Sequence, residues 1–269
     1  MERTLGFIGT GNMGGALARA AARTVSADKI YLSNRTPEKA QSLAAELGCK
    51  AVSTEEAARC AYVFLGVKPQ GMKALLAQLG PVLASRQDDF VLVSMAAGIC
   101  MADIRQMAGG NYPVIRIMPN TPVAVGSGII LYDATENVSP ATLDGFCRAM
   151  GWAGLLDPLP EGLMDAGTAV AGCGPAFGAL FMEALEEGGV RCGLDRDKAR
   201  LYALQMLVGT ASLALKTGKS AGLLRQEVCS PGGSTIEGVR SLEADGFGES
   251  VARAVQASYR RNIELGKGN

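Results

Sequence analysis

Six residues near the start of the chain, Gly9, Thr10, Gly11, Asn12, Met13 and Gly14, have the types and spacing of a phosphate-binding turn. They follow directly on the apolar run Leu5, Gly6, Phe7, Ile8 and open a stretch of helical periodicity reaching Ala22. In that setting the first glycine permits a tight turn, the second lets a diphosphate approach the backbone, and the third lets the helix pack on the strand. The diphosphate then sits at a helix N-terminus, where free N–H groups and the helix dipole favour an anion. The same letters in isolation would fit a glycine-rich turn without a ligand. Their placement between strand and helix favours a dinucleotide site.

The end of the next strand selects the nucleotide. It reads Ser33, Asn34, Arg35, Thr36, with no acid before Glu38. NAD(H) sites usually place Asp or Glu here to bond the ribose 2′-hydroxyl, whereas a cation accommodates a 2′-phosphate. NADP(H) is therefore the expected cofactor; NAD(H) remains possible if Arg35 is only a solvated surface cation. Open α/β sheets bind ligands beyond the carboxyl ends of their strands. That brings two further loops toward the cofactor, one holding Val67, Lys68 and Pro69, the other spanning 94–98. Lys68 can contact ribose or substrate, or can simply cap a helix.

A second candidate anion site lies much later. Cys229, Ser230, Pro231, Gly232, Gly233, Ser234 and Thr235 form a compact polar turn ahead of a helical run through Ile236, Val239 and Leu242. Successive N–H groups at a helix start make an anion pocket. A small carboxylate fits it, with the Ser234 and Thr235 hydroxyls as additional donors. An ordinary helix start has the same composition.

Composition narrows the chemistry further. The 269-residue chain has no histidine, so it holds no Ser-His-Asp triad, His base or His-based metal site. Chemistry must come from a cofactor or from carboxylates, lysines and hydroxyls, and no metal is expected. The 26 basic and 26 acidic residues cancel, without a basic block. Nucleic acid and anionic membrane surfaces, which need a concentrated positive field, are not expected partners. Seven scattered cysteines without a CxxC pair read as reduced core thiols of a cytoplasmic protein. The first residues lack the apolar core of a signal peptide. The longest uncharged stretch, 166–182, contains Pro175 and falls short of the roughly 20 apolar residues of a membrane span. It is expected to be a buried, closely packed helical segment.

The elements that must position these residues alternate. Strands are expected at Leu5–Ile8, Ile30–Ser33, Tyr62–Leu65, 90–94 and 114–117, with edge strands at 127–131 and 152–156. Helices are expected at Pro37–Leu47, from a capping-box pattern at Ser53 and Glu56, and at Pro140–Met150. This alternation means an α/β fold, a doubly wound Rossmann-type sheet that is mostly parallel and covered on both faces. After about residue 158 only helices are expected, at 163–188, 195–217, 222–228 and from Thr235 onward with a break at Asp245 and Gly246. The expected domains are thus 1–157, nucleotide-binding, and 158–269, all-α. A helical domain this small often completes its core by dimerising.

The chain resembles the pyrroline-5-carboxylate reductase family. The matching stretches are Phe7 to Met13, Val67 to Pro69, Met118 to Val123, Gly172 to Ala176, Gly188 to Val190, and Ser230 to Ile236, the last followed by Leu242, Glu243 and Gly246. They run in order over nearly the whole length. The resemblance implies a Rossmann domain with a helical dimerisation domain, a homodimer or higher homo-oligomer, and NAD(P)H-dependent reduction of the cyclic imine L-1-pyrroline-5-carboxylate to L-proline. It implies that Gly232, Gly233 and Ser234 hold the substrate carboxylate, that Thr235 lies near the ring nitrogen as the catalytic hydroxyl, and that Glu161 lines the substrate pocket. Asn34, Arg35, Lys68, Pro69 and Asn120 are expected near the cofactor, beside the fingerprint residues. A β-hydroxyacid dehydrogenase shares the glycine fingerprint but uses a lysine of its helical domain; Lys198, Lys216 and Lys219 lie in no matching glycine-rich context. A noncatalytic NADP-binding protein would leave the second anion loop without a purpose.

Overall fold

The structure is a computed structural model and describes residues 4–267. Eight strands form one sheet: β1 (Leu5–Ile8), β2 (Ile30–Ser33), β3 (Lys50–Ala51), β4 (Tyr62–Leu65), β5 (Val91–Ser94), β6 (Val114–Pro119), β7 (Gly128–Ala134) and β8 (Gly154–Pro158). Their order across the sheet is β3-β2-β1-β4-β5-β6-β7-β8. All neighbours pair in parallel except β6 and β7. The Rossmann-type reading holds, but β7 is interior, and the edges are β8 and β3. The edge strand β3 has two residues, both exposed, and so no apolar pattern to announce it.

Intervening helices are α1 (Asn12–Ala21), α2 (Pro37–Leu47), α3 (Thr54–Ala57), α4 (Pro69–Ala84), α5 (Met101–Ala108) and α6 (Pro140–Met150). α4 and α5 are additional to the helices read from the sequence pattern. Pro69 supplies the first turn of α4, while the Cys100 side chain caps α5. The capping box at Ser53 forms as expected, although α3 is only four residues long. Alternate residues of each central strand serve opposite faces. Leu5, Phe7, Tyr62, Phe64, Val91 and Val93 pack with α1 and α6 residues such as Leu17 and Phe146. Ile8, Val63, Leu65 and Leu92 pack with Met72, Leu76, Leu79 and Ile104 of α4 and α5. Burial on both faces is what a covered parallel sheet requires. Burial also pushes the Cys60 thiol up to about 11, so it stays neutral and unreactive.

Beyond β8 follow α7 (Met164–Gly167), a π-helical segment (Thr168–Gly172), α8 (Gly174–Arg191), α9 (Arg196–Thr217), α10 (Ala221–Val228), α11 (Ser234–Ala244) and α12 (Phe247–Lys267). Two compact units result. One holds the sheet, runs to Cys173 and takes the chain back from Ser258; the other is Gly174–Ala257. The boundary read at residue 158 marks the end of β8, whereas the sheet-bearing unit continues through α7 and the π-helical segment. In the helical unit, α8 and α9 pack on each other. Glu186 of α8 pairs with Arg196 and Arg200 of α9, and the Phe181 and Phe247 rings lie 5.6 Å apart.

The segment 166–182 departs from expectation. It is helical, but Val170 is 61% and Leu180 68% exposed, and α8 buries no residue within the chain. Composition marks a helix as apolar without saying whether its own chain or another covers it. The sheet core is closed by contrast: the Phe7 and Phe64 rings stack with centroids 4.3 Å apart, both fully buried. Replacing Phe64 by Ala is expected to destabilise the fold by about 3–5 kcal/mol. Denaturant unfolding with an unchanged m-value would register this, and a loss below about 1 kcal/mol would contradict the packing described.

Candidate active site

The fingerprint turn is shaped by contacts between backbones. Gly9 has φ +101°, and a Cβ there would collide with the Gly66 carbonyl at the end of β4. Gly9 N–H donates to Ser33 O and Gly66 N–H to Ile8 O, each at 2.8 Å. The turn is thus wedged between the ends of β2 and β4. A Cβ on Gly14 would collide with the Gly9 carbonyl, so the third glycine lets α1 start against the strand. Gly11 differs. It is the N-cap of α1, it faces open space to 4 Å, and no side chain caps the helix. Its environment is that of a backbone left open to a phosphate. Asn12 is exposed and Met13 half-buried. Thr10 N–H donates to Asn34 Oδ1 at 3.0 Å, and Asn34 Nδ2 donates to Thr36 O at 3.1 Å. Asn34 therefore ties the phosphate turn to the loop after β2. The buried Thr10 Oγ1 is left without a hydrogen-bond partner, a polar atom still lacking company at the turn.

Beside Asn34 opens a cavity of about 470 Å³, lined by Ser33, Pro37, Ser53, Thr54 and Glu56 among others. The Ser33 and Thr54 hydroxyls lie 2.9 Å apart. Glu56 is the only carboxylate lining it among the described residues, and it accepts from Ser53 N–H as part of the cap of α3. That bond keeps the carboxyl below its ordinary range. Ser53 and Thr54 are legible in the sequence as a helix start, but not as cavity wall. Arg35 is exposed and makes no hydrogen bond or ion pair among the described residues, so it is free to meet an outside anion. Lys68 is also exposed; its backbone is the N-cap of α4, with Pro69 half-buried in the first turn. The free α1 N-terminus, the open Gly11 and the exposed, unpaired Arg35 after β2 fit a dinucleotide with a 2′-phosphate.

Asn120 is committed to protein partners. Its Oδ1 accepts from Ile129 N–H at 2.9 Å and its Nδ2 donates to Ala171 O at 3.1 Å. It thereby fastens the end of β6 to β7 and to the π-helical segment, an element that recurs at functional sites. Glu161 likewise sits in a network. Its Oε1 accepts from Met101 N–H at 2.8 Å and from Arg116 Nη1 at 3.1 Å, while its own N–H donates to Asp133 Oδ2 at 2.6 Å. Arg116, only 4% exposed, is also 3.9 Å from Asp165, and its Nε has no partner. A buried guanidinium needs such carboxylates because an unpaired buried charge is strongly destabilising. Neither Arg116 nor Asp133 was singled out by the sequence, since each sits inside an apolar strand pattern as one polar letter. Among the described residues no group of three or more His, Cys, Asp or Glu is placed to hold a metal.

The second anion loop belongs to the helical unit. Gly232 takes the left-handed conformation (φ +71°), and Gly233 N–H closes the turn onto Ser230 O at 3.0 Å. Gly233 is the N-cap of α11 and no side chain caps the helix. Ser234 and Thr235 follow in the first turn, both exposed. Five helices are capped by Ser53, Cys100, Ser139, Asp195 and Ser220 side chains, and α2 and α4 open without such a cap on Pro37 and Pro69. α1 and α11 begin on glycine and leave their N–H groups to whatever comes from outside.

Two family models match the chain. The family described as pyrroline-5-carboxylate reductase dimerisation matches residues 161–265, and the one described as NADP oxidoreductase coenzyme F420-dependent matches residues 4–98. A pyrroline-5-carboxylate reductase of Pisum sativum is 36% identical over 266 residues, covering 97% of this chain and 96% of the relative. That of Escherichia coli K12 is 33% identical over 271 residues, covering 99% and 100%. A crystal structure of Plasmodium falciparum pyrroline carboxylate reductase with NADP bound superposes with a TM-score of 0.89 at 30% identity, covering 99% of each chain.

The two glycines of the turn separate folding from binding. Gly11→Ala, in an extended conformation with space for a methyl group, should leave the thermal midpoint unchanged and weaken NADPH binding by about tenfold or more. Gly14→Ala, forced against Gly9, should lower the midpoint as well. NADPH fluorescence titration together with thermal unfolding reads both, and undiminished binding by Gly11→Ala would remove the turn as the phosphate cradle.

Proposed function

The chain belongs to the pyrroline-5-carboxylate reductase family, and from that premise we propose how its own residues divide the family's reaction. It reduces L-1-pyrroline-5-carboxylate to L-proline with NADP(H). The observation that carries the assignment of roles is the pair of glycine-headed, uncapped helix ends, one in each unit. Each suits one anion of the reaction, the cofactor's diphosphate and the substrate's carboxylate.

On this reading residues 1–157 hold the nucleotide. Gly9, Thr10, Gly11, Asn12, Met13 and Gly14 cradle the diphosphate. Arg35 meets the 2′-phosphate, Asn34 keeps the loop in place, and Lys68 and Pro69 border the ribose. Asn120 contributes by holding the π-helical segment. The bound nicotinamide supplies a hydride. Residues 158–269 hold the substrate and a second chain. Gly232, Gly233 and Ser234 grip the carboxylate through backbone N–H groups, and Glu161 contributes a carboxylate already fixed by Arg116 and Met101 N–H. Thr235 hydrogen-bonds the ring nitrogen and orients the C=N bond. A cyclic imine takes up a proton from solvent near neutral pH, and the resulting iminium is already an electrophile. What the protein must add is orientation, with reacting atoms held about 3–3.5 Å apart. The missing histidine is consistent with that demand.

The protein is a homo-oligomer, and we propose a dimer closed by the helical unit. Leu180, Leu201, Tyr202, Val208, Leu215 and Val228 are all exposed in the single chain, far more apolar surface than a helical unit leaves in water. The stretch Glu161–Arg191 is long and apolar enough to cross a membrane by length and composition. It lies inside the region matched by the dimerisation family, so a second chain is the cover we assign to it. We place the protein in the cytoplasm, a reading supported by its bacterial relatives and by seven free thiols.

Steady-state assays with pyrroline-5-carboxylate and each cofactor test the reaction directly; turnover on a hydroxyacid but not on the imine would overturn it. Thr235→Ala should lose on the order of a hundredfold in kcat with NADPH affinity unchanged, and equal loss of both would remove Thr235 from the chemistry. Arg35→Ala should raise the KM for NADPH about tenfold, the worth of one charge-assisted hydrogen bond. The KM for NADH should stay as it is, and a parallel rise would show that Arg35 does not read the 2′-phosphate.

A further inference from the structure

We infer that the last turns of α12 position the cofactor-facing loop 95–98, with Gly266 and Asn262 acting together with the Arg116–Glu161 pair. This rests on the reading of the sheet-bearing unit as the NADP(H) site. The loop follows β5, which lies beside β4, and so leaves the sheet on the same carboxyl side as the fingerprint turn.

Two separate attachments hold it. At its end, Gly98 is in the left-handed conformation (φ +73°), and a Cβ there would come within 2.8 Å of Gly266 N and 3.0 Å of Leu265 C. A Cβ on Gly266 would in turn come within 3.1 Å of Gly98 O. Backbone therefore meets backbone with no side chain between them, a closeness that requires glycine at 98 and leaves room at 266 for no more than a small side chain after a small shift. The register of α12 in this contact is set one turn earlier. Asn262, 8% exposed, donates through Nδ2 to Asp165 O at 3.2 Å. Just beyond Gly98, Met101 N–H donates to Glu161, which Arg116 holds from the sheet. Asp165 is also the second carboxylate facing Arg116. One buried guanidinium on β6 thus fixes both the carboxylate that receives the Met101 N–H and the segment on which Asn262 seats α12. The loop has little freedom left between these two points. Gly266, Asn262 and Arg116 are positioning residues: they act on the nucleotide through the loop.

Full-length Gly266→Val, compared with wild type by NADPH fluorescence titration, thermal unfolding and steady-state kinetics, tests this. The expected result is NADPH binding about tenfold weaker and kcat lower by up to about a hundredfold, the loss that a 1 Å misplacement produces. The KM for the imine and the thermal midpoint should hold. Gly266→Ala should show the same split at smaller size, because its 3.1 Å contact requires only a small shift, and Asn262→Ala should follow it. Gly80→Ala, facing open space inside α4, should leave NADPH binding and kcat unchanged while the midpoint holds or rises slightly. Wild-type NADPH affinity in Gly266→Val overturns the inference, as does weakened binding that tracks a falling midpoint in both glycine variants. Should the valine variant not fold, Gly266→Ala decides by the same criteria. A wild-type protein that binds NADPH but leaves the imine unreduced overturns the proposed reaction instead, and the binding titration still judges the loop.

Discussion

An α-helix begins with N–H groups that its own turns cannot satisfy, and how this chain answers that demand organises the molecule. At five helices a side chain closes the start, Ser53, Cys100, Ser139, Asp195 and Ser220 accepting from first-turn N–H groups, while α2 and α4 open on Pro37 and Pro69, which remove one of the N–H groups. At α1 and α11 the N-cap is glycine and no side chain among the described residues caps the helix. Glycine at those positions forgoes a side-chain cap at a cost of only about a few tenths of a kcal/mol and exposes a positive dipole end to whatever approaches. Two units of unrelated architecture thus share a glycine-headed helix start, and in the function proposed above each meets an anion without a cluster of basic side chains.

Keeping such ends open requires that neighbouring backbone be held rigidly. Gly9 and Gly14 achieve this by close approach, the first to Gly66 and the second to Gly9 itself, so strand end and helix start form one piece. The Gly98–Gly266 contact repeats the strategy one strand further along the sheet. Arg116 supplies what glycine cannot. Its charge, buried in an otherwise apolar strand, can be accommodated only while Glu161 and Asp165 stay within reach. Segments distant in sequence are therefore held in place by the need to neutralise one cation.

Much of this was legible in advance. The fingerprint, the strands β1, β2 and β4, the long helices of the second half and the glycine-rich start of α11 follow from periodicity and from glycine in a telling place. Less visible was anything defined by a partner far along the chain. β3 is too short for a pattern, and β7 looked like an edge because sequence does not reveal that β8 covers it. Arg116 and Asp133 are single polar letters within strands. Asn120 and Glu161 came to notice through family resemblance, which gave their neighbourhood but not their bonds to Ala171, Ile129, Met101 and Arg116. The apolar stretch 166–182 was read as buried because hydrophobicity alone does not tell an internal face from an intermolecular one.

That last point bears on why the catalytic apparatus can be so spare. A reaction whose electrophile arrives already protonated asks little acid–base work of the enzyme and a great deal of geometry. Hydroxyls and backbone N–H groups suffice as contacts provided they do not move, since a helix end that frays loses its dipole and its aligned donors together. The helical unit cannot guarantee that rigidity alone: α8 buries no residue and α9 only Ala199 and Ala203. In the dimer proposed above, a second chain over those faces would complete the core beneath α11, so oligomerisation and the firmness of the proposed substrate grip would both depend on the same exposed leucines and valines.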